Sequence, residues 1–142
     1  MSETPTDDAV EFAHRIFDAV RAGETEFVLS VVDQGAPVDL TDAKGNTLLL
    51  LAAYHRHTEL VAGLVARGAD VNRLNDRGQS PLAGAVFKRA DGVIDVLLAH
   101  GADPEAGSPT ARATARMFGI DLVEHEVRRA GAEEHDESGE PN

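Results

Sequence analysis

Residues 35–49 read GAPVDLTDAKGNTLL, and 33 positions later residues 68–82 read GADVNRLNDRGQSPL, with the glycines in the same places. The opening Gly-Ala-Asp returns at Gly101-Ala102-Asp103, another 33 residues on. A fixed period of this length constrains the fold more than any composition can. A unit that short cannot bury an apolar face alone and must stack on copies of itself.

Aligning the chain on itself at this period shows what the unit contains. Phe27/Val28 with Val31/Val32 fall over Leu60/Val61 with Leu64/Val65, and these over Val93/Ile94 with Leu97/Leu98. Each set is spaced i, i+1, i+4, i+5, which makes one broad apolar face on a helix of two to three turns. A shorter run of small residues, such as Leu49 to Ala53, precedes the face and predicts a first helix. A Gly-Ala pair follows it, where glycine can adopt the left-handed conformation that ends a helix. The unit is helix, turn, helix, glycine stop, extended hairpin.

This pattern resembles the ankyrin repeat, whose marks are a period of 33 and a T-P-L-H-x-A start. The match is carried by Gly45 to Ala53, by Ser80-Pro81-Leu82 and by Gly68 to Asn72, and the resemblance spans roughly residues 9 to 132. It implies an all-α solenoid of paired antiparallel helices joined by hairpin-like loops. Four units are expected, at about 9–41, 42–74, 75–107 and 108–132, between polar tails at 1–8 and 133–142 read as disordered. The first helix is expected to begin near Ala9, with Asp7 or Asp8 as its N-cap. The last unit aligns at an offset of 30, so its hairpin has lost three residues around Pro104 to Pro109. There Val123 and Val127 are expected to keep the apolar ridge, while Arg112, Glu124 and Arg128 replace Leu82, Ile94 and Leu98 and wet the outer face of a cap. The central unit lacks the proline and histidine of the family's start, and the third has Ala83 for the histidine, so the hairpins are expected to be loosely braced.

Composition bounds the setting. Of 25 acids, eight lie in the first eight or last twelve residues, leaving 17 against 13 bases, so the body carries about −4 of the net −12. No basic stripe favours nucleic acid, no apolar run is long enough to span a membrane, and no N-terminal signal pattern is present. The absence of cysteine removes thiol chemistry and fits a cytoplasmic protein. Arginine outnumbers lysine eleven to two, the bias that GC-rich bacterial codon usage leaves.

No constellation points to catalysis. His55 and His57 at i, i+2 on a helix would diverge by about 200° and could not share a metal. His57 also stands where the family keeps a structural histidine. His100, His125 and His135 have no second ligand at metal spacing, Ser30, Ser80 and Ser108 lie in no nucleophile elbow, and Asp91 with Asp95 reads as a solvated face. The chain is read as a non-enzyme with no cofactor.

The resemblance implies a partner-binding surface along the concave side, built from hairpin tips and first-helix ends. Those ends are Arg21/Ala22, Tyr54/His55, Phe87/Lys88 and Met117/Phe118, and three of the six aromatics in the chain fall in this one ladder. Arg56 and Arg89 follow it, and the tips supply Lys44, Asn46, Asp76, Arg77 and Gln79. Aromatic residues mixed with cations are the composition of interface hot spots. The expectation is a monomeric module that docks an apolar side chain of another protein between Tyr54 and Phe87, and pairs acidic or phosphorylated groups with Lys44, Arg77 and Lys88. Two other readings remain: a self-associating or autoinhibited scaffold with the acidic tail (Glu133 to Glu140) in its own groove, and a metal-dependent enzyme.

Overall fold

The computed structural model describes residues 7–126. The chain runs through α1 (Asp7–Ala22), α2 (Thr25–Asp33), α3 (Leu48–Tyr54), α4 (Thr58–Ala66), α5 (Pro81–Phe87), α6 (Asp91–Ala99) and α7 (Ala111–Phe118), and residues 122–126 are again helical. The first helices α1, α3, α5 and α7 pack in one layer, and α2, α4 and α6 in a second. Each first helix also packs on the second helix that follows it, as in α1 on α2, α3 on α4 and α5 on α6. The outcome is the all-α repeat array that the period predicts.

Three of the first helices start in the same way. The hydroxyls of Thr47, Ser80 and Thr110 accept from the amides of Leu50, Ala83 and Ala113 at 3.0, 3.0 and 2.9 Å, satisfying one orphan N–H at each helix start. The second helices have no such cap and instead carry Glu26, Glu59 and Asp91 in the first turn, where the helix dipole favours negative charge. α1 begins at Asp7, two residues before the expected start, so Asp7 and Asp8 lie inside its first turn rather than ahead of it.

The core is one continuous band. Leu60, Val61, Leu64, Val93, Ile94, Leu97 and Leu98 are fully buried along the second helices, facing Leu48, Leu49, Leu82 and Val86 of the first. Buried alanines at 52, 53, 85 and 115 suit a close approach of the first helices. The end unit departs from expectation. Val123 is 53 % exposed, while Leu122 and His125 face inward. Asp121 takes the N-cap role, its Oδ1 accepting from the amide of Glu124, so this helix begins one residue later and its buried ridge rotates. Arg112 is half-buried and ties the preceding loop to this helix through Glu105 and Glu126, whose carboxylates hold its pKa above the ordinary value. Val127, Arg128 and the tail from 133 onward lie outside the described residues. At the opposite end Val10 and Phe12 stay exposed, so the outer edge of α1 is less polar than a cap would require.

The hairpins are braced, contrary to expectation, by side chains that stand in for the missing histidine. Asp42 and Asn75 occupy the same place in successive units. Asp42 Oδ1 accepts from the amides of Lys44 and Asn46, and Asn75 Oδ1 from those of Arg77 and Gln79. Each tip is tied to the next, because Asn75 Nδ2 donates to Asn46 Oδ1 at 2.8 Å and Asp76 N to Lys44 O at 3.0 Å. A parallel series below joins Asp39 to the amide of Asp70 and Asn72 to that of Asp103.

Candidate protein-binding surface

The stacking of first helices brings their ends into line. The rings of Tyr54 and Phe87 lie 6.4 Å apart and 8° from parallel, and Phe118 meets Phe87 edge-on at 5.4 Å. Lys88 places its ammonium 4.8 Å over the Tyr54 ring, and the Arg89 guanidinium sits 5.5 Å over Phe118. Tyr54 is 37 % exposed, Phe87 51 % and Met117 72 %, so these side chains stand on the surface and do not merely seal the junction between helices.

Tyr54 and Phe87 wall a cleft of about 230 Å³ whose floor is Leu50, Ala83 and Gly84 and whose far side is Pro109 and Thr114. The two rings are too near for a side chain to slip between them, which would need about 7 Å of separation for contact on both faces. The apolar opening next to the rings is therefore this cleft beside them and not the space between them. Pro109, absent from the sequence-based set, closes it because the shortened last hairpin folds back, with Ser108 N donating to Gly78 O at 2.9 Å.

The remaining predicted residues divide by whether they are already engaged. Lys44, Asn46, Asp76, Arg77 and Gln79 gather with Ala43 and Asn75 around a depression of about 330 Å³ at the hairpin tips. Asn46 and Gln79, however, are held by Asn75, whose amide donates to both side chains. Their side-chain oxygens thus take part in bracing the hairpins. Lys44 and Arg77 contribute only backbone groups to that bracing. His55 packs edge-on to Tyr54 at 5.5 Å, and burial, then the positive charges of His57, Arg21 and Lys88, hold its pKa below the ordinary value. It adds an aromatic surface more than a charge.

The histidine pair behaves differently from its helical expectation. His55 and His57 flank the turn after α3, and their rings stack at 6.2 Å instead of diverging. His57 Nε2 lies 2.8 Å from the carbonyl oxygen of Arg21 in the preceding unit, which makes it an inter-repeat staple. Asp91 and Asp95 also proved to have a partner: His125 is buried, with Nδ1 2.6 Å from Asp95 and Nε2 3.7 Å from Asp91. Thirty residues separate His125 from Asp95, so no local spacing announces the contact. Among the described residues no three His, Cys, Asp or Glu side chains are placed to hold a metal, and no helix is long and apolar enough to cross a membrane.

Comparison with known proteins agrees with this geometry. Residues 16–108 match the family model for ankyrin repeats in three copies. A Pseudomonas aeruginosa protein named as an ankyrin repeat protein is 43 % identical over 47 residues, which is 33 % of this chain and 28 % of that protein. The chain thus matches under a third of that relative's length. Ankyrin repeats are in general non-enzymatic modules for protein–protein interaction. The 33-residue period, the recurring hydroxyl caps, the two helical layers and the family match together place this chain in the ankyrin repeat family.

Proposed function

We propose that the chain is a non-enzymatic binding module that holds another protein on its concave face and hairpin tips. The partner segment is acidic or phosphorylated and carries one apolar anchor. The observation that carries this reading is the continuous strip of Tyr54, Phe87 and Phe118, interleaved with Lys88 and Arg89, on a chain whose net charge is −12. The apolar anchor fills the cleft floored by Ala83 and Gly84, and Lys44, Arg77 and Lys88 supply charge complementarity around it. The repeat body from 9 to 132 acts as one monomeric cytoplasmic unit, with residues 1–8 and 133–142 as tails. Its groove is preformed, so docking demands little rearrangement.

A displayed library of random peptides, panned on the immobilised domain, tests this reading. Enriched sequences should share an aliphatic or aromatic residue with Asp or Glu beside it. A variant carrying Tyr54→Ala, Phe87→Ala and Phe118→Ala, with an unchanged circular dichroism spectrum, should bind those peptides at least on the order of thirtyfold more weakly, the loss of one hot spot or more. Equal binding by the variant would sink the proposal.

A further inference from the structure

Four turns join the paired helices, and in each the same position has left-handed backbone: Gly23 at φ 78°, Arg56 at 67°, Arg89 at 56° and Gly119 at 68°. A β-carbon crowds the neighbouring carbonyl in that conformation, so glycine is the residue that tolerates it. The two outer turns follow this rule and the two inner turns, which come two residues after Tyr54 and Phe87, do not. Strain kept by a non-glycine residue directs attention to what its side chain does.

The space for these side chains is also specific. A β-carbon on Gly23 would lie 2.7 Å from the ring of His57, so the first turn excludes one on two grounds. One unit later the position of His57 is occupied by Ala90, which removes the ring that would meet the side chain of Arg56. Two positions therefore differ together from the first turn, and together they admit an arginine. Arg89 has a structural reason for its place, because its Nη2 donates to the carbonyl oxygen of Phe118 at 3.1 Å. Arg15, Arg21, Arg67 and Arg112 each pair with a carboxylate. The guanidinium of Arg56 is exposed and meets no hydrogen-bonding or ionic partner among the described residues.

We propose that Arg56 is held in its strained turn to read a carboxylate on the partner segment, and thereby sets the preference of the groove for acidic sequence. The inference rests on the groove reading above. A guanidinium offers two parallel N–H donors to a carboxylate, a geometry that an ammonium cannot reproduce. Because no described group occupies the fork, no internal bond is lost on binding. The adjacent His55, kept below its ordinary pKa by burial and nearby cations, stays neutral near pH 7. Lys88 is turned onto Tyr54. The fork thus presents one fixed charge, which suits a carboxylate better than a doubly charged phosphate.

The test uses the full chain and two synthetic capped peptides, one with a leucine flanked by glutamates and the other with glutamines in their place, measured by fluorescence anisotropy. The wild type should prefer the glutamate peptide by about tenfold, and Arg56→Gly should abolish that preference while raising the melting temperature by about 2–4 °C through relief of the strained turn. Arg56→Lys should keep the melting temperature and only part of the preference. A wild type with no preference, an Arg56→Gly variant that retains it, or one that melts lower than wild type would each overturn the assignment. The double variant Tyr54→Ala with Phe87→Ala separates the two readings. If it weakens both peptides while Arg56→Gly keeps the preference, the groove stands and only the role of Arg56 falls. If it binds both peptides as wild type does, the groove itself is misplaced.

Discussion

Three hydroxyls at Thr47, Ser80 and Thr110 each close the start of a first helix, and two of them are almost wholly buried. Water cannot replace the lost acceptor at Thr47 or Ser80, so Thr47→Ala or Ser80→Ala should lower stability by about 1–2 kcal/mol in urea denaturation. Thr110, less buried, should cost nearer 0.5–1 kcal/mol. The pH response is set by other side chains. His55 is harder to protonate in the folded chain than in the unfolded one. Its contribution is therefore complete above about pH 6.5 and is lost as pH falls through its lowered folded value. Asp33 and Asp42 are held below the ordinary 3.8, so their contribution persists above that pH and is lost only as acid titrates them. In Asp33 the cause is the Arg67 guanidinium. In Asp42 burial alone would push the pKa up, but the amides of Asn46 and Lys44, the Asn46 side chain and Arg21 outweigh it. Thermal melts should thus show two separate acid limbs, and His55→Gln should flatten the one just below pH 6.5 while leaving the one below pH 4 in place.

The elements were legible in the sequence wherever the repeat is regular. The pairs Leu60/Val61 and Leu64/Val65 predict the buried face of α4, and only Val65 remains partly exposed there. Leu64→Ala should therefore cost about 2–5 kcal/mol, as a cavity opens between units, whereas Phe87→Ala, half-exposed, should cost under about 1 kcal/mol. A denaturation series that ranked them in the opposite order would mean that Phe87 is a core residue and not a binding one. Legibility failed where a local choice resets the phase of an element. Asp121 as N-cap shifts the last helix by one residue, which exposes Val123 and buries His125, and no periodicity in so short a segment reveals that. The loose-hairpin expectation failed for another reason. The family's histidine is one way to brace the loop, and Asp42 with Asn75 is a second, visible only as two Asx residues at the same place in the unit. The candidate surface was legible as a set of positions, because the period maps each first-helix end onto the next. Which members are already engaged was not, since Asn75 holds Asn46 across two hairpins and Gln79 within its own.

Over the whole molecule, the main helix contacts among the described residues run within a unit or between neighbouring units, so stability sums from units and junctions instead of one all-embracing core. The middle units have two junctions and the outer ones have one. Hydrogen exchange should accordingly be slowest in α3 to α6 and faster in the first turns of α1 and in residues 122–126. Uniform protection from end to end would show that the array opens as a single block. The same arrangement makes length an adjustable quantity. Because α3, α5 and α7 repeat one packing step, an inserted copy of residues 68–100 would find matching surfaces on both sides and add one rung of about 10 Å to the groove. A chain built this way can be graduated like a ruler, its reach along a partner altered in whole units while the spacing of the marks stays the same.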